Sequence, residues 1–381
     1  MPGRTDQGGE LRRDLRETLV FVAVAACVLG LRFALPAEFI EDYYSRGAYL
    51  AIRRALDVGF GWWPVPASAV AILLAVAALA RHLVRSVRRG RSASAKTVHT
   101  ALAAARAVSL VAVAFMVLWG FNYGRVALPR QLGLQTERLG TEALWEELRE
   151  TAKYVGILRV QLPLRDVTDY ESLPLQQGTQ QRIREAVTKQ LDELGYPSVG
   201  HVRIREVVAG GLLRFNTSGV YFPLTGEGHV DEGLHSLQVP FVTAHEMLHG
   251  YGITDEGSCN FVAYLACTRA DNLYLRYSGH LTYLRYLGAA VRRRDPEGYA
   301  AFRQNLPRAV RADLDSIAEN NDRFAEIAPA VRDAVYDGYL RAQGVGDGMA
   351  SYSRIIDLVA AWRSARRAPR AVRTAAQTPP R

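Results

Sequence analysis

Phe241-Val-Thr-Ala-His245-Glu246-Met-Leu-His249-Gly-Tyr-Gly252 is the stretch on which the reading of this chain turns. On a helix, positions i and i+4 project from one face. Two imidazoles at that spacing can grip one zinc ion. Glu246 lies next to the first of them, where its carboxylate can reach a water on the metal. With 8 His in 381 residues, the pattern arises by chance in roughly one chain in a hundred. The flanks support a helix. Pro240 suits a first turn, where a missing N–H costs nothing. Gly250 and Gly252 suit an end. Phe241, Ala244 and Leu248 form an apolar stripe beside the histidines. The segment is short with polar flanks, so it does not read as a membrane span.

A structural zinc site is normally closed by four protein ligands, whereas a hydrolytic one uses three and leaves a place for water. The third ligand reads as Glu256, seven residues past His249. Thr254 or Asp255 can cap a new helix, with Glu256 in its first turn; Asp255 is the competing ligand. Asn260 follows Glu256 by four residues, on the same face, and can orient a metal-bound imidazole. Glu246 is then the general base that takes a proton from the attacking water and passes it to the leaving amine. A donor for the developing oxyanion is also needed. Tyr277 and His280, in Arg276-Tyr-Ser-Gly-His280, are candidates downstream, as are Tyr336, Tyr339 and Tyr352. Each of these tyrosines has the alternative of a packed core side chain with its hydroxyl satisfied.

Upstream, three segments read as membrane spans: Leu19 to Leu35, Val58 to Ala80, and Ala107 to Gly124. A cleaved signal peptide is the alternative for the first, since Arg12, Arg13 and Arg16 precede it and Ala34–Ala37 loosely resembles a cleavage site. The loop between the second and third holds Arg81, Arg85, Arg88, Arg89, Arg91, Lys96 and Arg106 without an acid. Such loops stay cytoplasmic. The N-terminus is then cytoplasmic, and everything after Gly124 extracytoplasmic. The formal charge of +9 fits this division, because residues 1–125 carry 16 Lys/Arg against 8 Asp/Glu and the rest 31 against 30. That excess sits with the membrane segments, so a nucleic-acid partner is not indicated. Of the three cysteines, Cys27 lies in an apolar run. Cys259 and Cys267 lie about 12 Å apart on one helix, too far for a disulfide.

The domain reading follows. Residues 1–18 form a cytoplasmic tail, 19–125 a membrane domain with three transmembrane helices, 126–362 a soluble catalytic domain and 363–381 a disordered Arg/Pro-rich tail. Within the soluble part, Thr141–Val155 and Gln180–Leu194 have helical spacing. His201–Pro223 reads as short strands and turns. The chain after Pro240 is mostly helical. The fold class is α+β, mainly α, with a small β-sheet and a largely helical C-terminal half.

The run His245-Glu-Met-Leu-His249-x-x-Gly252-x-x-x-Glu256-x-x-x-Asn260-Phe-Val-Ala-Tyr-Leu-Ala-Cys267 resembles the domain of unknown function 3810 family. Trp119-Gly-Phe-Asn-Tyr-Gly-Arg125, Tyr221-Phe-Pro-Leu-Thr-Gly-Glu227, Arg276-Tyr-Ser-Gly279, Tyr336-Asp-Gly-Tyr-Leu340 and Ser351-Tyr352 resemble it too, over residues 105–362 in all. The resemblance implies a bacterial membrane protein related to zincin metallopeptidases of the gluzincin type. It implies zinc on His245, His249 and Glu256, with Glu246 as base. It also implies that Tyr221–Glu227 is an edge strand beside the cleft, where an extended peptide can add. The chain departs from the family pattern after Glu256, where Gly257-Ser258-Cys259 replaces an acidic run, so Ser258 cannot be a ligand.

The expected function is an integral-membrane zinc metallopeptidase of the bacterial plasma membrane, acting on peptides or proteins outside the cytoplasm. A zinc amidase trimming cell-wall peptides would use the same chemistry. A non-catalytic membrane sensor or scaffold with a structural zinc site is the third reading.

Overall fold

Pro64 and Pro66 interrupt the second of the apolar stretches, and this changes the membrane reading. Proline lacks an N–H and pushes the residue before it out of the helical region. Val58–Phe60 therefore finish helix α2 (Tyr49–Phe60), and a separate helix α3 (Ala67–Arg88) starts just past Pro66. Its apolar part, Ala67–His82, is about 24 Å long, short of the ~30 Å of a hydrocarbon layer. Among the described residues two helices, not three, are long and apolar enough to cross a membrane: Gly9–Ala34 within α1 (Gln7–Ala34), and α4 (Ala93–Leu118). The third stretch thus begins before Ala107, taking in Lys96 and Arg106, and stops at Leu118. Gly120–Gly124 is a 3₁₀ turn. The computed structural model describes residues 7–88, 93–162, 178–327, 329–330 and 354–367.

The chain divides into two units, Met1–Arg125 with Phe222–Glu227, and Val126–Tyr221 with Gly228–Arg381. In the first, only 11% of each long apolar window is buried, and Leu19, Leu73 and Val108 are each about two-thirds exposed (67, 67 and 68%). Water-soluble helices bury such faces. α1 and α4 run parallel. At one end Asp14 meets His99 at 2.5 Å and Arg106 at 3.6 Å; at the other, Arg32 donates to the Tyr123 carbonyl at 2.8 Å. Beyond them Glu41 holds Arg125 at 2.7 Å and Arg46 at 2.7 Å. Buried Arg53 pairs with Asp57 and donates to the Gly226 carbonyl at 2.9 Å.

The second unit is mainly helical around one small sheet. Its sequence-predicted helices appear as α5 (Thr141–Gln161) and α6 (Thr179–Glu193). α5 outruns its predicted end because Leu158 and Arg159 continue the buried stripe of Leu144, Leu148 and Val155. Strands β1 (Arg203–Val207), β2 (Gly219–Phe222) and β3 (Glu227–Asp231) pair in the order β1-β3-β2. Of the stretch Tyr221–Glu227, only the part in β2, ending at Phe222, lies in an edge strand. Pro223–Gly226 form the turn, and Glu227 already belongs to the central strand. Asp231 ends β3 buried, its carboxylate accepting the N–H groups of Gly210, Leu212, Leu213 and Gly233 at 2.7–3.0 Å. That fixes the loop between β1 and β2.

The helical half comprises α7 (Val239–Gly250), α8 (Glu256–Thr268), α9 (Leu273–Arg294), α10 (Pro296–Gln304), α11 (Arg308–Asp322) and α12 (Ile355–Arg367). α8 is the centre: every residue from Glu256 to Cys267 is buried. Phe261, Val262 and Leu265 are at most 3% exposed, each contributing about 1.5–3 kcal/mol. α5 and α11 are tied by a buried ion pair, Arg159 to Asp313 at 2.8 Å. α12 carries the ordered chain past residue 362 to Arg367, because Arg363 bonds Glu147 and the Tyr264 hydroxyl. The expected disordered tail otherwise lies outside the described residues, as do Tyr336, Tyr339 and Tyr352.

His235 links the sheet to α11. Its Nδ1 accepts the Leu237 N–H at 3.2 Å, and its Nε2 meets Ser316 at 2.9 Å. The ring must be neutral to accept. Burial, then Arg285 and Arg323, push its pKa from 6.5 down to about 4. The unfolded chain therefore takes up a proton that the folded chain refuses between those values. Stability is expected to fall as pH drops from about 6.5 to about 4, and His235→Gln should flatten that slope in thermal melts of the purified protein.

Candidate metal centre

Helix α7 ends by a mechanism visible in its last residues. Gly252, at φ +88°, occupies the left-handed position, the Gly252 N–H bonds the His249 carbonyl at 3.0 Å and the Ile253 N–H bonds the Leu248 carbonyl at 3.1 Å. This is the Schellman pattern. It turns the chain so that the Ile253 carbonyl meets His249 Nδ1 at 2.8 Å. A carbonyl only accepts, so Nδ1 carries the proton and His249 Nε2 presents a lone pair. Asp255 then caps α8, accepting the Ser258 N–H at 2.8 Å and the Ser258 hydroxyl at 2.6 Å. Asp255 is thereby occupied as a cap, and it also pairs with Arg354 at 3.1 Å. Glu256, the first residue of α8, swings back over α7.

The three expected ligands converge. His245 Nε2 and His249 Nε2 are 3.1 Å apart. Glu256 lies 3.0 Å from His245 Nε2 and 3.6 Å from His249 Nε2. Electron-rich atoms so close repel unless a cation sits among them, either a proton or a metal. Ligands held at 2.0–2.1 Å around a tetrahedral ion are about 3.3 Å apart, which the three spacings bracket. The His245 and Glu256 side chains are only 10% and 8% exposed, so the centre is largely withdrawn from water.

The electrostatics follow from burial. Burial pushes the Glu256 carboxyl up, but His249 and His245 outweigh it and hold it well below the carboxylate range. Burial alone would lower the His249 imidazole; the Glu256 carboxylate reverses that and helps raise it well above the histidine range. Glu246 lacks such compensation. Burial drives its pKa up to about 7, against the pull of both histidines and with a push from Glu256. Its Oε2 is buried with no hydrogen-bond partner among the described residues. A carboxyl poised near neutrality is what general-base work requires.

Glu246 is confined by the sheet. A Cβ at Gly219 would stand 2.7 Å from Glu246 Oε1, so only glycine lets β2 pass the carboxylate. Tyr221, two residues on, shares that face of β2 and is buried. Nothing local in the sequence links Gly219 to Glu246, so this contact comes from the tertiary structure alone.

Cys259 was not expected at the centre. With His245 and His249 it forms a group of metal-ligating atoms within 4.8 Å of one another. Its Sγ, however, stands 3.4 Å from His249 Nδ1, on the opposite edge of the ring from Glu256. It also donates to the Ile253 carbonyl at 3.3 Å. Burial pushes the thiol up to about 12, so it stays protonated and serves the fold.

The remaining candidates lie elsewhere. The Ile253 carbonyl takes at His249 the role expected of Asn260, whose side chain bonds Tyr286. The Tyr277 hydroxyl is bonded to Asp313 in the buried α5–α11 pair. His280 packs against the rings of Tyr154 and Tyr264, at 4.9 and 5.7 Å. Tyr277 and His280 thus have core roles, because the inner face of α9 that carries them points at α5, α8 and α11.

The model of a family described as a protein of unknown function (DUF3810) matches residues 44–360. The chain belongs to the DUF3810 family. That match includes His245, Glu246, His249 and Glu256, and it reaches further towards the N-terminus than the resemblance at 105–362. No curated protein and no solved structure matches this DUF3810 chain. Within the centre, the geometry assigns distinct duties. The purified full-length protein is expected to carry one equivalent of a divalent transition metal by mass spectrometry. His245→Ala, His249→Ala and Glu256→Ala should each weaken that binding at least 100-fold, while Cys259→Ala retains it.

Proposed function

We propose that this protein is an integral-membrane zinc peptidase of zincin-like, gluzincin type, hydrolysing peptides or proteins outside the cytoplasm. The observation that carries this reading is the convergence of two imidazoles and one carboxylate beside a second carboxylate raised to about 7, whose Oε2 has no hydrogen-bond partner among the described residues. A two-nitrogen, one-oxygen donor set suits zinc and is one ligand short of a closed structural site. His245, His249 and Glu256 would hold the ion. When bound, zinc supplies a Lewis acid that brings a coordinated water to near-neutral acidity. Glu246 accepts a proton from the attacking water and returns it to the leaving nitrogen. Gly219 keeps the Glu246 carboxylate in place, and the β2 edge offers backbone groups to an extended peptide. A zinc amidase acting on cell-wall peptides would use the same residues.

The membrane topology rests on the parallel packing of α1 and α4. Two parallel crossings need a return between them, and α3 is the apolar helix available for it, short as it is. Hydrophobic mismatch of that size is met by tilting neighbours or local thinning of the bilayer. The Arg-rich segment between α3 and α4 then lies in the cytoplasm with the N-terminus. The second unit follows α4 on the outside of a bacterial plasma membrane.

The rival reading, a structural site in a non-catalytic sensor or scaffold, would require Cys259 to leave the Ile253 carbonyl and join the ligands. The full-length protein in detergent, assayed on casein-type and muropeptide libraries, separates the two. Glu246→Gln is expected to keep its metal and lose hydrolysis by about 10³-fold. Gly219→Ala should keep metal and lower kcat by roughly 10-fold through displacement of Glu246. Wild-type turnover in Glu246→Gln would refute the peptidase reading. Inactivity of the metal-loaded wild type on both libraries, with metal lost in Cys259→Ala, would favour the structural site.

A further inference from the structure

The far end of α8, about 18 Å along the helix from Glu256, meets α12 in a cavity of about 320 Å³. Thr268, Arg269, Trp362, Arg363, Arg366 and Arg367 line it, and no Asp or Glu does among the described residues. We propose that this cavity binds a phosphate-class anion, taken from a phospholipid headgroup or from a free phosphate ester. The inference is independent of the metal centre.

Charge bookkeeping first shows that the cluster is local. Residues 126–362 hold 25 Lys/Arg against 30 Asp/Glu, a net of −5, whereas 363–381 hold 6 Arg and no acid. Arg363, Arg366 and Arg367 of that last segment line the cavity beside Arg269 of the otherwise acidic domain. Two of the lining arginines also meet acidic or phenolic groups of the protein. Arg363 is bonded to Glu147 and to the Tyr264 hydroxyl. Arg269 reaches Glu193 at 3.2 Å, a pair whose side chains are 33% and 48% exposed, and such pairs contribute little.

The cations are also held together. The guanidinium carbons of Arg269 and Arg366 stand 5.5 and 5.4 Å from the centroid of one ring, that of Trp362. The indole attracts both, which gathers like charges at one place. Arg269 responds: burial, and then repulsion by Arg366, lower its pKa. An anion entering the cavity would relieve that repulsion. Guanidinium forks pair in bidentate fashion with phosphate oxygens. Several arginines match the one to two negative charges of a phosphate better than the single charge of a carboxylate. The cavity volume lies at the low end for small-ligand sites, enough for a headgroup or a small ester.

The test uses the full-length protein in detergent. Inorganic phosphate, dihexanoyl phosphatidylglycerol and dihexanoyl phosphatidylcholine are titrated calorimetrically into wild type, the Arg366→Ala/Arg367→Ala double variant, and Lys153→Ala, an exposed cation on α5. Wild type is expected to bind an anionic probe, the double variant to lose at least 10-fold in affinity, and Lys153→Ala to match wild type. Phosphatidylglycerol binding at least 10-fold tighter than phosphate assigns the site to a headgroup; similar affinities assign it to a free phosphate ester. Should the double variant melt abnormally, Trp fluorescence supplies the second readout. Phosphate or phosphatidylglycerol should change the emission of wild type and not of Trp362→Phe. Three results would each overturn the proposal: neither anion binding wild type, equal losses in the double variant and Lys153→Ala, or phosphatidylcholine binding as tightly as phosphatidylglycerol.

Discussion

Glu256 is a carboxylate taken out of water, and its neighbours are arranged around that cost. Moving an ion of this kind into a protein interior costs several kcal/mol even after relaxation. Two imidazoles at 3.0 and 3.6 Å compensate for it and keep the carboxylate charged. Their positions are not adjustable, because both sit on one face of a short buried helix. The link from α7 to α8 is correspondingly tight. Gly252 reverses the chain, Ile253 anchors His249, and Asp255 caps α8 so that Glu256 points back. A change in any of these would leave a buried charge without its counter-charge.

The same burial raises Glu246 too, and there it prevails. Glu246 lies on the helix of the two histidines, but their pull does not offset desolvation, which carries its pKa to about 7. Adjacent carboxyl groups are thereby driven apart, one held ionised and one poised to exchange a proton. The sheet completes this division. Gly219 brings backbone up to Glu246 without a side chain to displace it, and among the described residues β2 lies at an edge of the sheet.

In the first unit the organising constraint is a different one. α1 and α4 carry apolar surface that little else in the unit covers, yet they are clasped by polar groups at both ends. Asp14, His99 and Arg106 mark one end and Arg32 the other. Polar groups in apolar surroundings must pair, so these contacts fix the helices in parallel register rather than merely side by side.

Much of the centre was legible in the chain because it is local. The i, i+4 spacing of His245 and His249, the stop at Gly252 and the new helix start at Asp255 depend only on residues within a turn or two. The apolar composition of α1 and α4 is likewise local, although Pro64 and Pro66 split the second stretch more sharply than its hydropathy suggested. Folding alone decided what depends on distant segments. It brought Glu256 to the histidines and Arg354 to Asp255. It set Cys259 behind His249, gave the orienting bond to Ile253 and placed Gly219 against Glu246. It also committed Tyr277 to Asp313 and His280 to aromatic packing. Helical periodicity says which face a side chain occupies, but not which distant element covers that face. That choice belongs to the packing of α5, α8, α9 and α11, where shape and buried charge are satisfied together.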